Sequence, residues 1–322
     1  MTTFTPHTPA PDRHAHMPHR RCGRSGLHLP ALSLALSRSL GDNSPFQNHT
    51  ALIHHAFDRG ITHFDLAPQY GPPQGAAEKN FGRVLAGLRP WRDELIVSVS
   101  PSLAALTGFG SRKHMRASLD ATLRRTGLEY VDIYYAHRPD PRVPLEETME
   151  ALATAVHEGK ALYVGLSGYA PATLNRAAAI LADLGSPPAV CQASYSLLNQ
   201  WVTEGLLDVL TQHGVGLVAG APLAHGALVS TSPTFPVITS QDEAVEMLAD
   251  IAQTRGQSLP QLALSWLLHD TRVTTVLSGA STAIHLEENR AAVERGDLTP
   301  GELVLIADAL GVAGVEGGVR GA

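Results

Sequence analysis

Lysine is almost missing from this chain. Among 24 Lys and Arg residues only Lys79, Lys113 and Lys160 are lysine, an arginine excess read as genome composition. Lys79 and Lys113 fall in helical patterns and Lys160 precedes a strand pattern, so no lysine stands at the end of a strand. Cysteine is scarce too. Cys22 and Cys191 are far apart, which leaves no paired-cysteine metal spacing and reads as two buried free thiols, with a disulfide or a reactive thiol as the alternatives. No apolar run approaches the ~18 residues of a membrane span. Residues 1–20, rich in Pro, Thr and His, lack the apolar core of a signal peptide and are expected to form a disordered tail ahead of one domain, 21–322. No basic run exceeds His19-Arg20-Arg21 and the net charge is −6, so there is no nucleic-acid footprint. H-E-x-x-H spacing is absent, His54-His55 sit in a helical pattern, and His14, His16 and His19 belong to the tail, so no metal is expected. These exclusions leave a cytoplasmic protein with a small-molecule substrate, no nucleic acid and no membrane; a homo-oligomer stays open.

What is present is a large aliphatic core. Hydrophobic residues make up 44% of 322 and charged residues 17%, a globular composition whose length fits two ordinary domains or one α/β barrel. Eight apolar runs, 32–37, 62–67, 94–100, 131–137, 161–167, 189–194, 215–221 and 274–279, have the near-continuous hydrophobicity of parallel strands covered on both faces. Helical periodicity separates them, for instance over 113–126, 145–157, 172–184 and 243–254. Gly60, Gly127, Gly159 and Gly214 stand where helices end, and Ser111 and Thr203 where helices begin. No G-x-G-x-x-G follows the first strand. Eight such units therefore predict a single (β/α)8 barrel rather than a doubly wound sheet. Residues 21–30 read as a hairpin plugging the barrel floor, and the connection after the seventh strand, with its Pro/Ser/Thr-rich stretch 223–240, is the longest.

Barrel chemistry gathers at the C-terminal strand ends. In order these carry Ser37/Arg38, Asp65 with Tyr70, Ser100, His137/Arg138, Ser167/Gly168, Gln192 with Tyr195, Gly220/Ala221 and Ser281/Thr282. A carboxylate, a phenol and an imidazole from the second and fourth strands make a candidate acid–base site.

Several stretches carry a family resemblance: Arg24-Ser25-Gly26-Leu27, Phe64-Asp65-Leu66, Tyr70-Gly71-Pro72-Pro73, Ala77-Glu78-Lys79-Asn80-Phe81-Gly82-Arg83, Tyr130-Val131-Asp132-Ile133, Gly159-Lys160-Ala161-Leu162-Tyr163-Val164-Gly165 and Leu286-Glu287-Glu288-Asn289. Over residues 20–322 the chain resembles the aldo-keto reductases, in particular the branch with bacterial glyceraldehyde-phosphate reductases and potassium-channel β-subunits. The resemblance implies NADP(H)-linked carbonyl reduction. Tyr70 would be the general acid, Asp65 the carboxylate that holds a lysine, and His137 the residue that orients the carbonyl. Ser167 and Gln192 would meet the nicotinamide carboxamide, and Ser281, Glu288 and Asn289 the adenosine end. Arg38 and Arg138 are candidate substrate contacts.

The departures cluster at that site. The family lysine falls at Ser100, the aromatic under the nicotinamide at Gly220, and the arginine for the 2′-phosphate at Thr282; Gly168 and Ser37 also differ. Nucleotide binding is therefore expected to be weak or absent. Without its cation Asp65 should hold a proton more tightly. Three readings follow: a reductase on a small hydroxy-carbonyl substrate, a non-redox dehydratase, isomerase or cyclase on the same scaffold, and a catalytically silent binding or regulatory protein.

Overall fold

The computed structural model describes residues 6–15, 17–37, 39–103, 108–229, 240–295 and 297–312. A short hairpin comes first: β1 (His19–Arg21) pairs antiparallel with β2 (His28–Pro30), Arg21 opposite His28. Eight parallel strands then close into a barrel: β3 (Leu32–Ala35), β4 (His63–Leu66), β5 (Ile96–Val99), β6 (Val131–His137), β7 (Ala161–Ser167), β8 (Pro188–Ser194), β9 (Gly216–Gly220) and β10 (Val273–Gly279), with β10 pairing both β9 and β3. The helices between them are α1 (Phe46–Asp58), α2 (Ala76–Leu88), α3 (Arg112–Thr126), α4 (Leu145–His157), α5 (Pro171–Asp183) and α6 (Leu206–His213), then α7 (Ser240–Thr254) and α8 (Leu259–His269) before β10, and α9 (Ala283–Glu294) and α10 (Pro300–Val312) after it. This is the (β/α)8 barrel expected from the alternating apolar runs.

The hairpin plugs the floor. Cys22 is fully buried with Leu27 and Leu29 against Ile133, Tyr135, Val190 and Val218, and its Cα lies where a Cβ on Gly216, at the bottom of β9, would stand 2.9 Å away. Tyr135 fills the interior because Gly165, its neighbour on β7, has no side chain; a Cβ there would lie 2.4 Å from the ring. Ser111 caps α3, accepting from the His114 amide.

Three local expectations are corrected. Thr203 does not start a helix. Its hydroxyl donates to the Gln200 carbonyl within a short turn, and α6 begins at Leu206 after Gly205. The expected tail is docked over its described residues: Arg13 donates twice to Glu94 (2.9 and 2.7 Å) and its guanidinium lies over the Trp91 and Phe57 rings. His7 pairs with Asp58 at 2.9 Å, and Met17 joins the core. Its polar composition hid these pairings, which need partners far along the chain. The domain boundary also moves, since β1 already begins at His19. Most of the Pro/Ser/Thr-rich stretch after β9 lies outside the described residues.

Candidate active site

β4 and β5 run in register with Asp65 opposite Ser98. Side chains two apart on a strand share a face, so His63 and Asp65 of β4 point the same way, and Ser98 of β5 lies beside Asp65. The carboxyl of Asp65 is buried at 1% exposure. The Tyr70 hydroxyl donates to its Oδ2 at 3.2 Å and the Ser98 hydroxyl to its Oδ1 at 2.5 Å. Among the described residues no cation meets it. Burial therefore dominates and pushes the Asp65 carboxyl up to about 7, against the two hydrogen bonds, which favour the charged form. The Tyr70 phenol is pushed above its ordinary range, first by the Asp65 charge and then by its own burial.

The loop carrying Tyr70 is pinned from both sides. The Tyr70 amide donates to Ala67 O at 2.9 Å, the Gly71 amide to Ser37 O at 3.0 Å, and the Gly75 amide to Pro68 O at 2.7 Å. Gly71 sits at φ 69 with Gly41 so close that a Cβ would lie 3.0 Å from its Cα, a conformation and an approach that suit glycine.

Ser100, at the lysine position, is buried just past the end of β5, its amide donating to Leu66 O at 3.1 Å. Its hydroxyl makes no hydrogen bond among the described residues. Ser98, two residues earlier, takes over as Asp65's neighbour.

His137, Ser167 and Gln192 stand abreast on β6, β7 and β8 as consecutive register partners. His137 Nδ1 lies 2.9 Å from the Ser167 hydroxyl. Burial, with Arg138 adding repulsion, lowers the pKa of the imidazole. Arg138 is exposed at the mouth with φ 62, in the left-handed region, and its amide donates to Ser167 O at 2.7 Å. Arg38 lies outside the described residues.

At the positions expected to meet the adenosine end, Thr282 caps α9 by accepting from the His285 amide at 3.2 Å, and the Ser281 hydroxyl pairs with His285 Nδ1 at 2.9 Å. Asn289 is buried, its amide donating to the Ser278 hydroxyl and the Gly279 carbonyl; it ties α9 to β10. Glu288 is exposed. Gly220 has open space above it: a Cβ would meet nothing nearer than Ala193 O at 3.5 Å.

Two hollows accompany this arrangement. One of about 620 Å³ borders Ser37, Gln69, Gly71 and Gln74, beside Tyr70. The other, about 860 Å³, lies on the outer wall between α3 and α4. Most of its charges are paired with one another (Arg112–Glu150, Arg116–Glu158, Lys160–Asp120) and it lies away from the C-terminal strand ends, so its size does not make it the site. Among the described residues no cluster of His, Cys, Asp and Glu is arranged to hold a metal ion, and no helix is long and apolar enough to cross a membrane.

His63, Ser98, Ser33 and Thr275 were not among the expected site residues. Their signal is parity: each is a polar side chain set in an apolar strand run, and His63 and Ser98 share the inward face with Asp65.

The closed parallel eight-stranded barrel carries Asp65 on its second strand and Tyr70 just beyond it, an α/β-barrel architecture with a polar cluster at the strand ends. The chain belongs to the Aldo/keto reductase family, which matches residues 36–310. It is similar to the L-glyceraldehyde 3-phosphate reductase of Escherichia coli strain K12, with 45% identity over 322 residues covering 92% of this chain and 93% of that one. It is also similar to a provisionally named voltage-gated potassium channel subunit beta of Schizosaccharomyces pombe, with 33% identity over 314 residues covering 88% and 90%.

Proposed function

We propose that this chain is a carbonyl reductase acting on a small phosphorylated hydroxy-aldehyde, with Tyr70 as the proton donor and Asp65, in place of a lysine, as the group that loads it. The observation that carries the reading is the Tyr70–Asp65 hydrogen bond at the barrel mouth, around a carboxyl that keeps a proton up to about pH 7. Tyr70 gives its proton to the carbonyl oxygen and recovers one from Asp65, so the phenol need not persist as an anion. His137, held through Nδ1 by Ser167, offers Nε2 to the carbonyl oxygen. The name of the Escherichia coli relative points to a phosphate on the substrate, and Arg138, an exposed cation beside His137, is suited to meet it.

The family's nicotinamide cofactor fits at one end only. Ser167 and Gln192 stand side by side for the carboxamide, and the space above Gly220 is free for the ring. At the other end Thr282 offers a helix cap where a 2′-phosphate needs a cation. When bound, a reduced nicotinamide supplies the hydride. Binding is expected to be weak, with little preference for NADPH over NADH.

The experiment is turnover of glyceraldehyde 3-phosphate and related aldehydes with NADPH or NADH, wild type against Tyr70→Phe. Nucleotide oxidation should fall by roughly 10²–10⁴ in the variant. Equal rates would end the role of Tyr70.

The Asp65 carboxyl also favours a second reading. A group that titrates near neutrality can take a proton from the carbon next to a carbonyl without any hydride. Deuterium uptake at that carbon in D2O, with no nucleotide present and abolished by Asp65→Asn, would mark the non-redox enzyme. A protein that neither turns over nor exchanges deuterium is a binding protein.

A further inference from the structure

Behind Asp65 runs an unbroken line of side-chain hydrogen bonds through the barrel interior. The Ser98 hydroxyl, 2.5 Å from Asp65 Oδ1, lies 3.0 Å from His63 Nε2; His63 Nδ1 lies 2.8 Å from the Ser33 hydroxyl; Ser33 lies 2.6 Å from the Thr275 hydroxyl. All four residues are buried, at 1% exposure or less. The ring of His63 sits between two hydroxyls and burial alone holds it neutral, its pKa lowered to about 3. It therefore carries one N–H for two neighbours, so one nitrogen donates and the other accepts.

An ionised Asp65 settles which. Both of its oxygens must then accept, so Ser98 donates to Oδ1. With its one proton used, Ser98 can only accept, which puts the imidazole proton on Nε2. Nδ1 then accepts from Ser33, and Ser33 from Thr275. Every proton falls on a bond of 2.5 to 3.0 Å. The opposite polarity would send the Thr275 proton to Ala31 O at 3.3 Å, a carbonyl that already accepts from the Val276 amide at 2.9 Å.

We propose that Ser98 and His63 are positioning residues: with Ser33 and Thr275 they form a hydrogen-bond chain of fixed polarity that keeps Oδ1 of Asp65 an acceptor and so directs this carboxyl's proton to Oδ2, facing Tyr70. The proton balance is simple. Asp65 takes one proton from solvent on Oδ2; Tyr70 passes its own O–H proton to the substrate oxygen; the Asp65 proton moves to Tyr70 Oη; the chain behind keeps its four protons throughout. A proton on Oδ1 would leave Tyr70 donating to Oδ2, with its hydroxyl turned away from substrate. The Tyr135 phenol of β6 also feels the Asp65 charge, as it does the Cys22 and Cys191 thiols. Burial pushes both thiols up to about 12 and the phenol well above its ordinary range, so all three are uncharged at neutral pH.

The proposal rests on Tyr70 as proton donor, and its test does not depend on turnover. Full-length protein labelled with ¹⁵N-histidine and carboxyl-¹³C aspartate is titrated by NMR from pH 5.5 to 8.5, with Asp65→Asn and His63→Gln assigning the signals. His63 should stay the Nε2–H tautomer while the Asp65 carboxyl titrates; a change to Nδ1–H on the acid side overturns the fixed polarity. Ser98→Ala removes a hydrogen bond from the charged carboxylate and should raise the Asp65 midpoint by about one to two pH units; an unmoved midpoint also overturns the proposal. In His63→Gln the amide can donate to Ser98 and accept from Ser33, so the midpoint should stay within about half a unit of wild type, and a larger move counts against the chain. A fully active Tyr70→Phe in a protein whose tautomer holds would sink the donor reading alone.

Discussion

Replacing Asp65 with Asn should remove a loss of stability that accompanies rising pH. In the unfolded chain an aspartate titrates near pH 4; in the barrel burial moves it to about 7. The folded state thus binds the proton more tightly than the unfolded state. The stability this contributes is fully present below about pH 4 and is lost as pH rises through about 7. Asp65 is 1% exposed, so solvent screening removes little. Between the two pKa values the slope is about 1.4 kcal/mol per pH unit, and from pH 5 to pH 9 the loss comes to roughly 3 kcal/mol. Asn is nearly isosteric, can turn its oxygen to Ser98 and its amide to Tyr70, and does not titrate. Urea unfolding at pH 5, 7 and 9 gives the difference in stability between variant and wild type, in which groups common to both cancel. That difference should move in the variant's favour by about 3 kcal/mol across the range. A difference that stays flat within about 0.5 kcal/mol would mean that Asp65 titrates like an ordinary surface carboxylate, and the acid–base reading of the site would go with it.

Ser100→Lys should return a cation beside Asp65 and Tyr70, bring the carboxyl back to the ordinary range and flatten the pH slope just described. If the missing cation limits reduction, NADPH-dependent aldehyde turnover should rise by roughly 10²; no gain in a protein that also binds no nucleotide would remove the reductase reading. Thr282→Arg should tighten NADPH more than NADH by about tenfold or better, as expected of a charge-assisted phosphate contact, while the lost α9 cap lowers stability by about 1 kcal/mol. Calorimetric titration with both nucleotides and a melting curve check this, and a sub-micromolar, NADPH-selective wild type would show that the adenosine end had been misjudged.

Much of the barrel is legible because parallel strands covered on both faces cannot hide their hydrophobicity. Val131–His137 and Ala161–Ser167 match their apolar runs to the residue. The outer limits of β3 and β5 do not, since Ser37 and Ser100 carry no ladder pairing although the apolar pattern reaches them. Thr203 misleads for a related reason: its hydroxyl finds a carbonyl three residues back before a helix can form. The N-terminal segment shows the reverse limit. Composition makes it look loose, yet Arg13 has Glu94, Trp91 and Phe57 waiting 81, 78 and 44 residues further on, and no local pattern announces contacts at that separation. At the site, Asp65, Tyr70 and Ser100 could be placed from the strand ends, whereas His63 and Ser98 lie one turn of the pleat deeper and were absorbed into runs read as core.

Those two deeper residues change what the missing lysine means. A carboxylate buried with nothing opposite it would be an uncompensated charge, and the simplest relief is to pick up a proton. The barrel does more than allow this: a serine donates to one oxygen, and a neutral imidazole behind it leaves that serine no proton to spare. The oxygen free to take up a proton is Oδ2, which Tyr70 meets at 3.2 Å. An ion pair would fix Asp65 as an anion and make the phenol easier to ionise; the neutral chain instead leaves Asp65 free to titrate and keeps Tyr70 a full hydroxyl. Reduction and non-redox proton transfer both need a group that can hand over a proton near neutrality, so the proton machinery serves either reading. What separates them is whether a hydride donor is seated between Gln192 and Gly220.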